Sequence, residues 1–310
     1  MGPSRDQRAK AAKAFLNKKL PAVLRSNSRA RRGVESAQLI VNPPREPLRT
    51  LAAATSLELA NQPDHVRLVL PASQGPPGRS LPSSIRIWPV DTLEAAHRLS
   101  KLAPSRVAIL NMASPLRPGG GVLTGATSQE EWLCSRTTLY PSLLDEFYRL
   151  PEVSAVYTPD VLVCKTWDED PLALTPVNQF FIDVVTAAML RLPDTETNQQ
   201  GELVYSEQKD RDMVLAKMRC VMRILRAKHI HRVVLGAWGC GAYGNPVEEI
   251  ASAWKRVLLG PPARRTHGAE VYDDLDIVFA INDEAMSRRF ATAFGPGAVF
   301  EDGGGAGDEA

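Results

Sequence analysis

Short apolar runs alternate with amphipathic stretches along most of the chain. Runs rich in Val, Ile and Leu, bounded by Pro, Gly, Asn or Asp, predict strands at 37–41, 66–70, 85–90, 107–110, 157–163, 181–185, 232–235 and 276–281. Apolar residues spaced three or four apart predict helices at 93–99, 213–229 and 246–259. This alternation is typical of a sheet whose strands are joined by crossover helices. We therefore expect one α/β domain over residues 36–298.

Three segments depart from this pattern. Residues 1–35 hold ten Lys or Arg against two acidic residues, with apolar residues at 9, 12, 15 and 16. We predict a solvated basic arm or helix there, although a transit peptide or nuclear address has a similar composition. Residues 193–211 are polar and predict a loop or insertion. The acidic, glycine-rich residues 299–310 have the composition of a disordered tail.

Composition excludes several classes of protein. The 310 residues are 44% hydrophobic and 23% charged, which excludes a disordered chain, a collagen and a coiled coil. A net charge of +2 favours neither sequence-specific nucleic acid nor an acidic membrane as a partner. The four cysteines form no C-x-x-C pair and the five histidines have no ligand spacing. We expect no metal and free thiols in a reducing, intracellular compartment, either cytoplasm or nucleus.

The loop after the strand at 107–110 combines glycines with carboxylates. Gly119, Gly120 and Gly121 are followed, after seven residues, by Gln129, Glu130 and Glu131. Three glycines remove every Cβ, so a ligand can approach the backbone closely. A glycine triplet alone is usually a turn, and Gln-Glu-Glu alone is usually a solvated helix start. Their combination at the end of an apolar strand, where α/β sheets bind ligands, indicates a site.

A second glycine-rich loop, 236–246, leaves the strand at 232–235 and enters a helix. Its glycines suit a loop whose N–H groups surround a diphosphate at a helix N-terminus. It is not a P-loop, because no Gly-Lys-Ser/Thr follows. The glycine spacing at 239, 241 and 244 matches G-x-G-x-x-G, but a dinucleotide-binding fold would place that motif after its first strand.

Together these motifs resemble those of poly(ADP-ribose) glycohydrolases. Gly119–Gly121 followed by Gln129–Glu131 resembles the G-G-G-x(6–8)-Q-E-E signature, and 236–246 resembles the diphosphate loop of the microbial-type members, which are macrodomains. Residues 90–96, 157–161 and 276–281 are also similar, so the resemblance spans about 36–298. It implies a macrodomain-like three-layer α/β fold, with a mixed central sheet flanked by helices and ADP-ribose across its C-terminal edge.

The resemblance also implies a role for each motif residue in hydrolysing the ribose–ribose O-glycosidic bonds of poly(ADP-ribose). Glu131 would be the general acid and then the base, and Glu130 would hold ribose hydroxyls. The other implied substrate-binding residues fall into two groups. Near the distal ribose they are Asn111, Gly119, Gly120, Gly121 and Gln129, and around the diphosphate they are Gly236, Gly239, Cys240, Gly241, Ala242, Tyr243, Gly244 and Asn245, with Tyr243 over a sugar or the adenine.

The chemistry of the two carboxylates agrees with these roles. Adjacent helical residues point about 100° apart, so Glu130 and Glu131 cannot form an opposed pair across one bond. One acid/base carboxyl, with the diphosphate of the substrate nearby, is the more natural arrangement. No cofactor is required. The implied partners are poly(ADP-ribose) or an ADP-ribosylated protein, with ADP-ribose as product, and the chain is expected to be a monomer.

Two alternatives remain open. A non-catalytic ADP-ribose-binding macrodomain would have the same loops, but the carboxylates of its Gln-Glu-Glu motif would have no catalytic role. A mono-ADP-ribosyl hydrolase would share the nucleotide-binding half. Incubation with polymer and with mono-modified protein would separate the three activities.

Overall fold

The computed structural model describes residues 2–45, 85–102, 105–260, 270, 272 and 274–302. Ten strands are described: β1 (Gln38–Val41), β2 (Ile85–Trp88), β3 (Val107–Met112), β4 (Ser154–Val163), β5 (Phe180–Ala187), β6 (Thr195–Thr197), β7 (Leu203–Tyr205), β8 (Arg232–Leu235), β9 (Asp276–Ala280) and β10 (Val299–Phe300). Seven of the eight predicted strands are thereby confirmed. The eighth, at 66–70, lies outside the described residues.

Helices connect most of these strands. The α-helices are α1 (Arg5–Ala14), α2 (Leu20–Ser26), α3 (Ser28–Glu35), α4 (Thr92–Leu102), α5 (Gln129–Cys134), α6 (Gln208–Ala227), α7 (Val247–Leu259) and α8 (Glu284–Phe294). A π-helical turn, Phe15–Lys19, joins α1 to α2, and short 3₁₀ turns lie at Val122–Thr124, Tyr140–Ser142 and Asp145–Phe147. Helix α8 was not predicted, although Asp283 caps it by accepting the N–H of Met286.

Eight of the described strands form one mixed sheet in the order β1-β4-β5-β3-β8-β9-β2-β10. The six strands from β5 to β10 in this order are parallel, while β4 pairs antiparallel with both β1 and β5. Side chains that are buried on one face pack with α6, α7 and α8, and those on the other face pack with the N-terminal helices, α4 and α5. The predicted three-layer, macrodomain-like architecture is confirmed.

The expectation of a solvated basic arm is wrong. Phe15 and Leu20 are 3% and 2% exposed, and Leu16 and Ala30 are also buried in the domain core. Helix α3 packs so closely on β4 that a Cβ at Gly33 would lie 2.4 Å from the Pro159 carbonyl oxygen. The arm is an integral layer of the domain, because its apolar stripe outweighs the charges that point to solvent.

Two further expectations need correction. The stretch 193–211 is not only a loop, because β6 and β7 pair as an antiparallel hairpin and α6 begins at Gln208. Strand β6 is polar and both strands are only three residues long, so their apolar signal is too weak to be found in the sequence. The first residues of the expected tail, Val299 and Phe300, pair in parallel with β2, while residues 303–310 lie outside the described part.

Candidate active site

A cleft of about 570 Å³ opens where the parallel strands of the sheet end. Such a size is ordinary for a small-molecule site, and the C-terminal edge of the strands is where open α/β sheets bind ligands. Strands β2, β3, β5, β8 and β9 each supply part of its wall just beyond their last residue. These positions include Asp91, Ser114, Met189, Trp238 and Ile281.

The glycine triplet passes directly beside the two carboxylates. Gly119 and Gly120 have φ of +62° and +53°, which glycine adopts without steric cost. A Cβ at Gly120 would lie 2.5 Å from Glu131 Oε1 and 2.8 Å from Glu130 Oε2. The main chain can therefore pass this close to both carboxylates only because this residue has no side chain.

Each carboxylate is held by one backbone N–H and leaves its second oxygen without a partner. Ser114 N–H donates to Glu130 Oε2 at 2.8 Å, and Gly121 N–H donates to Glu131 Oε1 at 2.6 Å. Glu130 Oε1 and Glu131 Oε2 are buried and have no hydrogen-bond partner among the described residues. Buried polar atoms are almost always paired, so two such oxygens lining a cleft indicate groups that meet a ligand.

Burial changes the protonation of this pair. Glu130 is 2% exposed, and burial raises the pKa of its carboxyl to about 8, against the opposing effect of the Ser114 hydrogen bond. The neighbouring charge of Glu131 raises the Glu130 pKa further. At neutral pH Glu130 is therefore largely protonated and brings a proton to the cleft.

Gln129 fixes the start of α5 to the end of β3. Its Oε1 accepts the N–H of Met112 at 2.8 Å, and its Nε2 donates to the Leu110 carbonyl at 2.8 Å and to Thr92 Oγ1 at 3.2 Å. All of its hydrogen-bonding groups are thus engaged with the strand and with α4. This arrangement supports the expected loop-fixing part of its role.

Asn111 lies beneath the cleft rather than in its wall. It is 0% exposed, and its Nδ2 donates to Thr186 Oγ1 on the neighbouring strand at 3.2 Å. The side chain is close enough to Glu130 to favour the charged form of that carboxyl. Direct contact with a ribose therefore remains only a prediction, and the position of Asn111 better suits support of Glu130.

The second glycine-rich loop presents free N–H groups to the cleft. Gly239, Gly241, Ala242 and Tyr243 line it, and no acceptor among the described residues takes their backbone N–H groups. The N–H groups of Cys240, Gly244 and Asn245 are instead bonded inside the loop, to Ala237, Gly241 and Gly239. A cluster of unpaired N–H groups at a concave surface is suited to an anion.

Four predicted members of this loop do not line the cleft. Gly236 is buried against Met112, Gly244 faces away with φ of +68°, and Cys240 packs on the core. Asn245 has a structural role, because its Nδ2 donates to the Leu190 and Gly239 carbonyls and its Oδ1 accepts the Tyr205 hydroxyl at 2.7 Å. The sequence spacing could not separate loop-holding residues from residues that face a ligand.

Tyr243 lies at the carboxylate end of the cleft. Its ring is half-buried, its hydroxyl lies beside Ser114, and burial raises its pKa with a further contribution from the charge of Glu130. The backbone carbonyl of Tyr243 accepts the N–H of Leu192 at 2.9 Å, which fixes the loop to the segment after β5. Of the two expected positions, over a sugar or over the adenine, proximity to the carboxylates favours the sugar.

Several cleft residues were not predicted from the sequence. Ser114 supplies the N–H that holds Glu130, and its place directly after a predicted strand was an available signal. Trp132, Met189 and Trp238 also contribute to the wall, but an apolar side chain in the sequence does not show whether it faces core or cleft. The described residues include no group of three or more His, Cys, Asp or Glu able to hold a metal, and no helix among them is long and apolar enough to cross a membrane.

Comparison with known proteins agrees with the motifs. Residues 49–166 match the family described as the catalytic domain of microbial-type PARG. No curated protein sequence matches the chain. A poly(ADP-ribose) glycohydrolase structure from Thermomonospora curvata is similar with 22% identity and a TM-score of 0.64, covering 93% of this chain and 98% of that one.

Two ligand-bound structures have the same fold. A Thermomonospora curvata poly(ADP-ribose) glycohydrolase bound to the inhibitor ADP-HPD has 23% identity and a TM-score of 0.62, covering 93% of this chain and 98% of that one. A Deinococcus radiodurans poly(ADP-ribose) glycohydrolase in complex with ADP-ribose has 21% identity and a TM-score of 0.57, covering 86% and 95%. At these identities the likeness establishes the fold.

Proposed function

We infer that this chain is a microbial-type poly(ADP-ribose) glycohydrolase, which hydrolyses the ribose–ribose O-glycosidic bonds of poly(ADP-ribose) and releases ADP-ribose. The observation that carries this inference is the convergence of the glycine triplet with Glu130 and Glu131. The position that a Cβ of residue 120 would occupy lies within 3 Å of an oxygen of each carboxylate. Each carboxylate also has one buried oxygen without a hydrogen-bond partner among the described residues. The match of residues 49–166 to the catalytic-domain family supports the same activity.

The two glutamates are assigned different parts of the reaction. Ribose hydroxyls that donate to Glu130 favour its ionised form, and we assign the catalytic proton to Glu131. Glu131 donates this proton to the leaving ribose oxygen as the glycosidic bond breaks and positive charge develops at the anomeric carbon. Water then adds to that carbon and returns a proton to Glu131. Because both carboxylates lie on the same side of Gly120, they cannot act as an opposed pair.

The free N–H groups of the second loop are assigned to the diphosphate of ADP-ribose. Four N–H groups that face the cleft without an internal acceptor can offset the charge of a diphosphate without any metal. Tyr243 covers the ribose between this loop and the carboxylates. Binding of the nucleotide thereby fixes the distal ribose relative to Glu131, so that the reacting atoms are aligned.

The partners follow from this activity. We propose poly(ADP-ribose) or an ADP-ribosylated protein as substrate, and a monomer acting inside the cell, in cytoplasm or nucleus. All four cysteines are free, which suits a reducing compartment.

Polymer digestion by wild type, Glu131→Gln and Glu130→Gln in parallel tests the proposal. Glutamine keeps the shape of Glu131 but cannot deliver a proton, so turnover should fall about 10²- to 10⁴-fold. Binding of ADP-ribose by the same variant, measured by calorimetric titration, should persist. Glu196→Gln, the same exchange on the exposed hairpin, is the matched control and should have wild-type turnover.

Each other result has a defined meaning. Full activity in Glu131→Gln together with loss in Glu130→Gln would transfer the acid role to Glu130. Release of ADP-ribose only from mono-modified protein would make the chain a mono-ADP-ribosyl hydrolase. Binding of ADP-ribose without release from either substrate would make it a non-catalytic reader.

A further inference from the structure

The N-terminal helix α1 is in backbone contact with the loop between the glycine triplet and Gln129. Arg5 Nε donates to the Thr124 carbonyl and Arg8 Nε donates to the Gly125 carbonyl, each at 3.0 Å. A Cβ at Gly125 would lie 2.1 Å from the Arg5 carbonyl oxygen. The approach is therefore possible only because Gly125, with φ of +75°, has no side chain.

The helix is held in place independently of these two arginines. Ala12 of α1 is buried in the same apolar cluster as Val122, which lies in the contacted loop, and so are Phe15, Leu16 and Leu20 just after α1. Their burial fixes the C-terminal end of α1 against the domain by the hydrophobic effect. The arginine hydrogen bonds thus come from an anchored element, and their loss would release the loop without releasing the helix.

The contacted loop leads directly to Glu131. The N–H groups of Thr124 and Ala126 donate to the Gly121 carbonyl at 2.9 and 3.2 Å, and Thr124 Oγ1 donates to the same oxygen at 3.0 Å. The N–H of Gly121 donates to Glu131 Oε1 at 2.6 Å. The turn therefore holds the carbonyl of Gly121, and the N–H of Gly121 holds the carboxylate of Glu131.

We propose that Arg5 and Arg8 are positioning residues for Glu131, acting through the turn 121–126. This inference rests on the proposed function, in which Glu131 is the acid/base. The segment that supplies the arginines lies before residues 49–166, so it is outside the family match. The two arginines act by aligning Glu131 and do not contact the substrate, because neither of them lines the cleft.

The test is the double variant Arg5→Ala/Arg8→Ala, assayed for release of ADP-ribose from polymer. Displacing an acid by about 1 Å can cost on the order of 100-fold in rate, so kcat should fall about 10- to 100-fold. KM and the affinity for free ADP-ribose should remain near wild type. Arg8→Lys should keep part of the kcat that the double variant loses, because an ammonium can still donate to the Gly125 carbonyl. Lys10→Ala, on an exposed position of the same helix, is the control.

Hydrogen exchange of the Gly121 amide supplies a readout that does not depend on turnover. It should accelerate about tenfold or more in the double variant and stay unchanged in Lys10→Ala. Unchanged exchange, or unchanged kcat in an active enzyme, would overturn the inference. If the wild type leaves polymer intact while the double variant still accelerates exchange, the connection from arm to Gly121 stands and the proposed function fails. A loss of kcat with an equal loss in Arg8→Lys and a collapsed melting temperature would show a purely structural arm.

Discussion

Replacing Glu130 by glutamine should remove a large part of the pH dependence of stability of this fold. Burial, the largest cause, raises the pKa of the Glu130 carboxyl from 4.5 to about 8. A carboxyl whose pKa is higher in the folded than in the unfolded chain binds its proton more tightly when folded. Its contribution to stability is therefore complete below pH 4.5 and is lost as the pH rises through 8.

The size of the effect follows from the shift. One pKa unit corresponds to ~1.4 kcal/mol, so the Glu130 shift predicts a loss of about 4 to 5 kcal/mol in the free energy of unfolding from acid to alkaline pH. That is a large fraction of the total stability of a typical domain, about 5 to 15 kcal/mol. Glutamine keeps an acceptor for the Ser114 N–H and does not titrate. From acid to alkaline pH, the free energy of unfolding of the variant should therefore rise relative to that of wild type by about this amount.

Urea unfolding of both proteins at several pH values from about 4 to 9 measures the difference. The free energies of unfolding should diverge steadily above pH 4.5 and stop diverging above pH 8. Taking the difference between two proteins cancels the titrating groups that do not interact with Glu130. Glu196→Gln on the exposed hairpin is the control and should stay parallel to wild type. Parallel curves for Glu130→Gln as well would refute the reasoning, because they would mean that Glu130 titrates alike in the folded and unfolded chain.

The second glycine-rich loop supports four further predictions. Gly239→Ala should lower both the melting temperature and the ADP-ribose affinity, because Gly239 has φ of +82° and a Cβ there would lie 2.5 Å from Asn245 Nδ2. Gly241→Ala should leave the melting temperature unchanged, because no atom lies within 4 Å of the added Cβ. In Gly241→Trp the bulk should block the N–H groups and reduce calorimetric affinity without unfolding, and retained affinity would exclude an anion at this loop. Tyr243→Ala should weaken calorimetric ADP-ribose binding more than it lowers the melting temperature, because the ring lines the cleft, and a loss of thermal stability alone would make the residue structural. Asn245→Ala removes the partner of the Tyr205 hydroxyl and the side-chain donor to the Leu190 carbonyl, so the free energy of unfolding should fall by about 1 to 3 kcal/mol, and an unchanged value in urea would contradict its structural role.

The sequence alone determined seven of the ten described strands, the helices α4, α6 and α7, and the two loops that form the site. Apolar runs such as 107–110 and 233–235 are buried on both faces, so local composition is enough to identify them. The loops at 119–121 and 236–246 were also identifiable, because both follow predicted apolar strands, where α/β sheets bind ligands. The proximity of Gln129–Glu131 to the triplet was expected from the family resemblance.

Only the tertiary structure decided which loop residues face the ligand and what the arm does. Asn245 and Tyr243 are two residues apart in one motif, yet one is a buried bridge and the other lines the cleft. The pKa of Glu130 is raised mainly by burial, and the burial of a side chain is set by the packed fold rather than by its place in the sequence. Arg8 contacts a carbonyl 117 residues away, and no local pattern marks such a partner. Burial and long-range hydrogen bonds depend on the packing of distant segments, and the spacing of residues along the chain does not determine that packing.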